Sequence, residues 1–130
     1  MIDAPPAVSP VKPCVLIVDD EKIFLAMLRE TFADMFEIIT AISAEEAELL
    51  MAVRRFDVIV CDHLMPGMPG LEFLVSSAAR WPQTRRILLT GYINPEILSR
   101  SVPLADLSAC LLKPVRPVEL AEAIQAALKA

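Results

Sequence analysis

The stretch Val58-Ile59-Val60-Cys61-Asp62-His63-Leu64-Met65-Pro66-Gly67-Met68-Pro69-Gly70 decides the fold class. Its first four residues form an apolar run, mostly β-branched and too short for a helix. Such a run reads as a strand buried on both faces. It ends on an acid and passes into a turn punctuated by prolines and glycines. A second run has the same form: Val15-Leu16-Ile17-Val18 ends in Asp19-Asp20-Glu21. Two buried strands that deliver carboxylates into the loops that follow them make a cation site if they leave the same edge of one sheet. They also make a place where one carboxylate can be phosphorylated.

The rest of the chain falls into place around these strands. Residues 36–41 read as a strand. So do 87–89, which end in Thr90-Gly91, and 109–112, which end in Lys113-Pro114. Helical spacing fills the intervals. Ile23, Phe24, Met27, Leu28, Thr31 and Phe32 recur as one face of a helix. Met27 and Met51 are expected in the core. Ser43-Ala44-Glu45-Glu46 has the form of a capping box and starts a second helix that runs to about residue 55. A third helix carries Leu71, Leu74, Ala78 and Trp81 inward and is stopped by Pro82. Asn94-Pro95 opens a fourth, expected to be short because Pro103 ends it. Pro117 opens the last, with Leu120, Ala123, Ile124, Ala127 and Leu128 inward. Strict alternation of strand and helix implies an α/β fold with parallel strands and right-handed crossovers. In such sheets sites form at the carboxyl edge of the strands.

Composition narrows the function. The chain has 130 residues, enough for one domain, and is 55% hydrophobic. No apolar stretch approaches the roughly 20 residues of a membrane span, so the apolar excess suits a sheet covered on both faces. A net charge of -5 argues against a nucleic-acid surface in this domain. Residues 1–12 are proline-rich and expected to be a flexible leader, with the folded domain over 13–130. The first residues have neither a basic region nor an apolar signal core, so a cytoplasmic location is expected. Cys14, Cys61 and Cys110 each lie in or beside an expected strand and are expected as buried, reduced thiols. His63 is the single histidine, with no ligand cluster around it, which argues against zinc.

The expected strand ends bring together Asp19, Asp20, Asp62, Thr90 and Lys113. Carboxylates about 4 Å apart repel by roughly 4 kcal/mol at an effective dielectric near 20, and a hard divalent cation relieves that. Three oxygen ligands completed by waters suit Mg²⁺ better than a closed Ca²⁺ cage. A glycine-rich phosphate loop is missing: of three glycines none follows the first strand, so no nucleotide is expected. A carboxylate beside Mg²⁺, an ammonium and a hydroxyl has the parts for phosphoryl transfer, with Asp62 as nucleophile.

The set Asp19-Asp20, Asp62, Thr90 and Lys113-Pro114, in this order on a fivefold strand–helix alternation, resembles the receiver domain of bacterial response regulators. The turn after Asp62 matches that family's turn after the phosphoacceptor. The resemblance covers residues 13–130. It implies a flavodoxin-like three-layer sandwich with strand order 2-1-3-4-5 and five helices. It implies Asp62 as phosphoacceptor, Asp20 as a direct Mg²⁺ ligand, Asp19 acting mainly through water, and the Leu64 backbone carbonyl as a further ligand. Lys113 would pair with the phosphoryl group, its bond to Pro114 would be cis, and Thr90 would be the switch hydroxyl. The implied partners are a histidine kinase or phosphotransfer protein on the input side and an output domain or downstream protein on the other. No membrane and no direct nucleic-acid contact is implied. The domain would catalyse only its own phosphorylation and dephosphorylation.

This chain departs from the family at the switch. The usual aromatic three residues before the lysine is Cys110 here, and the usual Thr-Ala step is Thr90-Gly91-Tyr92. Two other readings stand beside the receiver. An aspartyl-phosphate phosphatase usually carries its nucleophile after the first strand in an Asp-x-Asp arrangement, which the adjacent pair Asp19-Asp20 does not fit. A phosphate-independent pseudo-receiver, acting only as an interaction module, has no need of the intact acids and Lys113.

Overall fold

The computed structural model describes residues 11–91 and 94–130. Strands β1 (Cys14–Val18), β2 (Glu37–Ala41), β3 (Val58–Asp62), β4 (Arg85–Thr90) and β5 (Ala109–Leu112) alternate with five helices. These are α1 (Lys22–Thr31), α2 (Ala44–Val53), α3 (Gly70–Arg80), α4 (Pro95–Ala105) and α5 (Pro117–Lys129). The strands form one parallel sheet in the order β2-β1-β3-β4-β5, the flavodoxin-like topology expected above. The expected leader falls mainly outside the described residues.

Alternation along the central strands builds two cores. Val15, Ile17, Val58, Val60, Ile87 and Leu89 pack against Leu25 and Leu28 of α1 and Leu120 and Ile124 of α5. Leu16, Val18, Ile59, Cys61 and Leu88 pack on the other side, with residues of α2, α3 and α4. A strand's period of two sends successive side chains to opposite faces. Every residue of β1 and β3 is therefore buried, and the near-continuous apolar runs in the sequence follow from that.

Several helix details differ from the sequence expectation. The buried stripe of α1 and its C-cap is Leu25, Leu28 and Phe32, while Ile23 is 87% exposed and Met27 38% exposed. Leu28 and Phe32 are buried as expected, and Leu25 completes the face in place of Ile23 and Met27. Leu71 and Leu74 of α3 are buried as expected, but Phe73 and Ser77 join them, and Trp81 is only partly buried. Met51 is in the core. Pro103 does not end α4, which continues to Ala105. Proline removes one bond, to the Ser99 carbonyl, and at an exposed position near the helix end that carbonyl can take water instead. The helix stops where Asp106 adopts a left-handed φ of 47°.

The end of α4 is held from below by a buried cation. Arg86 of β4 is 2% exposed. Its Nε donates to the Ala105 carbonyl at 2.6 Å, and its Nη1 donates to the carbonyls of Thr84 (2.5 Å) and Trp81 (3.3 Å). Its charge is offset by Asp106 at 3.4 Å. One guanidinium thus fastens the C-terminal ends of α3 and α4 to the sheet, and no buried side-chain N or O atom among the described residues lacks a partner.

Candidate functional site

β1 and β3 are neighbours, with Val18 opposite Cys61. The residues that follow, Asp19 and Asp62, therefore leave the sheet side by side, at about the 4.8 Å spacing of adjacent strands. Asp19 is fully buried and Asp62 is 5% exposed, while Asp20 is exposed. One carboxylate oxygen from each of the three lies within 4.8 Å of the others. Lys113 reaches across from the end of β5. Its Nζ is 2.7 Å from Asp19 Oδ2, 3.5 Å from Asp62 Oδ1 and 3.9 Å from Glu21 Oε1. The other oxygen of Asp19 accepts the Glu21 amide at 2.9 Å, which fixes the start of the α1 loop.

The electrostatics are those of a site short of positive charge. Burial, then the Asp19 carboxylate, push the Asp62 carboxyl up to about 6, against the pull of Lys113. Burial favours a neutral Lys113, but the bond to Asp19 and the charges of Asp19, Asp62 and Glu21 outweigh it and hold the amine above its ordinary value. Three carboxylates face one ammonium, and every donor is a hard oxygen. That set fits a small divalent cation completed by water, as Mg²⁺ is, and does not fit zinc. Cys61 lies in this buried region. Burial and then Asp62 and Asp19 push its thiol well up, so it is an inert core thiol.

The remaining expected residues are placed as follows. Thr90 is fully buried at the end of β4, and its carbonyl accepts the Lys113 amide at 2.9 Å. It shares the face of Leu88, on the α2–α4 side, whereas Asp62 shares the face of Val58 and Val60. The Lys113-Pro114 bond is cis. Leu64 sits in the loop after Asp62 with its side chain 65% exposed. Gly91 is exposed, and a Cβ there would meet nothing within 4 Å. Tyr92 lies outside the described residues. Cys110 is exposed rather than buried. It lies on the edge strand and alternates with Ala109 and Leu111, which face the α1–α5 core. Cys14 and Cys61 are buried as expected.

Three features of the site go beyond the sequence reading. Gly70 opens α3 with its amide on the His63 carbonyl at 2.9 Å. A Cβ at Gly70 would lie 2.0 Å from the Asp62 carbonyl oxygen, so only glycine lets α3 begin this close to the candidate nucleophile. The His63 ring accepts the Leu71 amide at Nδ1, 3.3 Å away, and takes the place of the side-chain cap that Pro69 cannot offer. Phe24 places its ring centroid 5.1 Å from Lys113 Nζ, a cation–π contact that positions the ammonium. The glycine and aromatic were visible in the sequence, but the close approaches depend on register between distant segments.

Comparison with known proteins gives these residues a context. The family model for the response regulator receiver domain matches residues 15–125. The chain is 38% identical over 116 residues to the hydrogenase transcriptional regulatory protein HoxA of Cupriavidus necator, covering 89% of this chain and 24% of that protein. It is 30% identical over 104 residues to the Regulator of RpoS of Escherichia coli K12, covering 78% of this chain and 30% of that protein. It thus spans about a quarter to a third of these curated relatives. Among solved structures, a CheY-like receiver domain protein from Methanospirillum hungatei superposes with a TM-score of 0.85 at 28% identity, covering 91% of this chain and 94% of that one. The chemotaxis response regulator CheY4 of Vibrio cholerae does so with a TM-score of 0.80 at 30% identity, covering 91% and 100%. With the acids, the lysine and the sheet order all in register, this chain belongs to the response regulator receiver domain family.

Proposed function

We propose that this chain accepts a phosphoryl group on Asp62, in a Mg²⁺-dependent reaction, from a histidine kinase or phosphotransfer protein of a two-component system or phosphorelay. The observation that carries this reading is the cluster of Asp19, Asp20 and Asp62 oxygens within 4.8 Å, with Lys113 bonded to Asp19 and 3.5 Å from Asp62. With its carboxyl at about 6, Asp62 is mostly ionised at neutral pH and available as a nucleophile. Its oxygen attacks phosphorus in line; the P–N bond to the donor imidazole breaks, and the imidazole leaves with the bonding pair and takes up a proton. Lys113 exchanges part of its contact with Asp19 for a phosphoryl oxygen. Thr90, at the end of the neighbouring strand β4, would turn from the Leu88 face toward the site and donate its hydroxyl to another. Mg²⁺, held by Asp20, Asp62 and the Leu64 carbonyl with Asp19 through water, would supply charge neutralisation at the phosphoryl oxygens.

The functional unit on this reading is 13–130, acting in the cytoplasm, where kinase donors work. No described helix is long and apolar enough to cross a membrane. The signal passes to an output domain or downstream protein. Gly91, Tyr92, Cys110 and Pro114 are the positions assigned to modulating the switch. Incubation with a small phosphodonor and Mg²⁺ should add one phosphoryl group by intact-mass spectrometry, and Asp62→Asn should add none. Equal labelling of that variant would refute the assignment. Continuous release of phosphate from esters, many equivalents per chain, would favour a phosphatase instead.

A further inference from the structure

The second half of α2, Leu49 to Val53, is apolar on both sides. Ala44, Ala47 and Met51 face the core. On the outer side Leu49 is 72% and Val53 80% exposed, one turn apart, and Ala52 between them is also exposed. α5 by contrast presents mainly Glu119, Glu122, Gln125 and Lys129 to solvent, with Val118 and Ala126 among them. A helix apolar all round is normally covered on both faces.

The charges around this stripe are sorted by end. Glu45, Glu46 and Glu48 precede it, and Arg54 and Arg55 follow it. Beneath the C-terminal end of α2 is a cavity of about 610 Å³ whose lining includes Val53, Arg54, Arg55, Arg80 and Trp81. These charges have partners within the chain that a second copy would have to exchange or share. Arg54 donates to Cys14 Sγ at 3.2 Å and lies over the Phe56 ring, Arg80 lies 4.3 Å from the Trp81 ring centroid, and Glu45 accepts the Met68 amide at 3.4 Å. Arg54 pairs with Glu37 at 3.0 Å and Arg80 with Glu48 at 3.7 Å, both on the surface. Arg55 donates to the Gln83 amide oxygen at 3.0 Å. Surface pairs of this kind are exchanged at small cost.

We propose that this face pairs with the same face of a second copy of the chain, α2 against α2, antiparallel about a two-fold axis. Antiparallel pairing sets Leu49 against Val53 of the other copy and brings Glu45 and Glu48 of each helix toward Arg54 and Arg55 of the other. The acidic start of each α2 then lies over the arginine-lined cavity of its neighbour. Parallel pairing would set acids against acids. The antiparallel form uses one patch twice and closes on itself, as a two-fold dimer must. The apolar stripe is short, so the contact belongs at the small end of specific interfaces, below about 1,200 Å². The proposal is independent of the chemistry at Asp62.

Sedimentation equilibrium of the wild-type chain at rising concentration, with a complementary charge exchange, tests it. Wild type should dimerise reversibly at micromolar to submillimolar concentration, and more weakly in high salt. Glu45→Lys/Glu48→Lys and Arg54→Glu/Arg55→Glu should each be at least about tenfold weaker alone, because each sets like charges together. Mixed one to one, they should recover a heterodimer, since both contacts are restored with reversed sign. Leu49→Glu, at an exposed site that leaves the core intact, should abolish association without changing the melt. A wild-type chain that stays monomeric at about 500 µM overturns the proposal. So does a dimer that survives either charge variant or Leu49→Glu, or a mixture that fails to recover binding.

Discussion

Asp62 carries the central tension of the structure. It is 5% exposed, beside a buried Asp19, and among the described residues Lys113 is the cation paired with both. Its folded pKa is about 6 against an ordinary 3.8, so the native state holds this proton more tightly than the unfolded chain does. The resulting stability is fully present below about pH 4 and is lost as pH rises through 6. In metal-free buffer, urea denaturation should therefore show this contribution falling between pH 4 and 6.5. Asp62→Asn should flatten that fall and stabilise the protein at pH 7.5 by about 1–3 kcal/mol. Millimolar Mg²⁺ at pH 7.5 should raise the wild-type Tm by linkage, and Asp20→Asn should remove most of the rise. A pH profile identical in wild type and Asp62→Asn would contradict the electrostatic picture. Gly70 is the second residue on which the site depends. A methyl group there would sit 2.0 Å from the Asp62 carbonyl oxygen, so Gly70→Ala must displace either α3 or the end of β3. A loss of about 1–3 kcal/mol is expected, with impaired labelling of Asp62. Wild-type stability and labelling would show that the contact relaxes freely. The sequence shows Gly70 as one more turn glycine; the collision that makes it necessary comes from the turn folding back onto β3.

At the scale of elements, α4 is the one most poorly read from sequence. Pro103 suggested an early stop, yet the helix runs to Ala105. What terminates it is Asp106 in a left-handed conformation over the Arg86 guanidinium. Periodicity could not anticipate Arg86, because a cation inside a buried strand breaks the apolar pattern, and its partners are carbonyls from distant segments. Arg86→Met fills much of the same space but removes the side-chain donor to the Ala105 and Thr84 carbonyls, while the Trp81 carbonyl keeps the Thr84 amide at 3.1 Å. It should cost about 3 kcal/mol in urea denaturation, with early loss of amide protection in α4. A change under about 0.5 kcal/mol would mean that water replaces the guanidinium. The same anchor shapes the expected response to phosphorylation. Cys110 is exposed and has no ring to swing inward, so motion of Thr90 should be felt mainly through Gly91 and the start of α4. Hydrogen exchange with and without a phosphoryl mimic should change across residues 94–103 and little across 109–112. A large change centred on Cys110, with 94–103 unchanged, would place the switch in β5. β1 and β3 were legible because burial on both faces leaves an apolar run. On α1, Leu28 and Phe32 were read correctly, but apolar Ile23 and Met27 are exposed, so helical spacing of apolar residues did not by itself mark the inner face.

At the scale of the molecule, the two acid-ended strands and the alternation around them were enough to infer the sheet and its carboxyl edge. The order β2-β1-β3-β4-β5 then brings the ends of β1 and β3 together and leaves β5 on the flank, from which Lys113 reaches back to Asp19 and Asp62. Residue types foretold this meeting; its distances, the cation–π contact of Phe24 and the fastening of α4 required the packed chain. The central claim is that one of the three clustered carboxylates, Asp62, receives the phosphoryl group. The most direct test is to treat the chain with a small phosphodonor and Mg²⁺, reduce the acyl phosphate with borohydride, and map the product by tandem mass spectrometry. Reduction converts a phosphorylated aspartate to homoserine, which marks the site covalently. The expected result is homoserine at position 62 alone, dependent on Mg²⁺. Homoserine at 19 or 20 instead, or none at any position under conditions that label an established receiver, would contradict it.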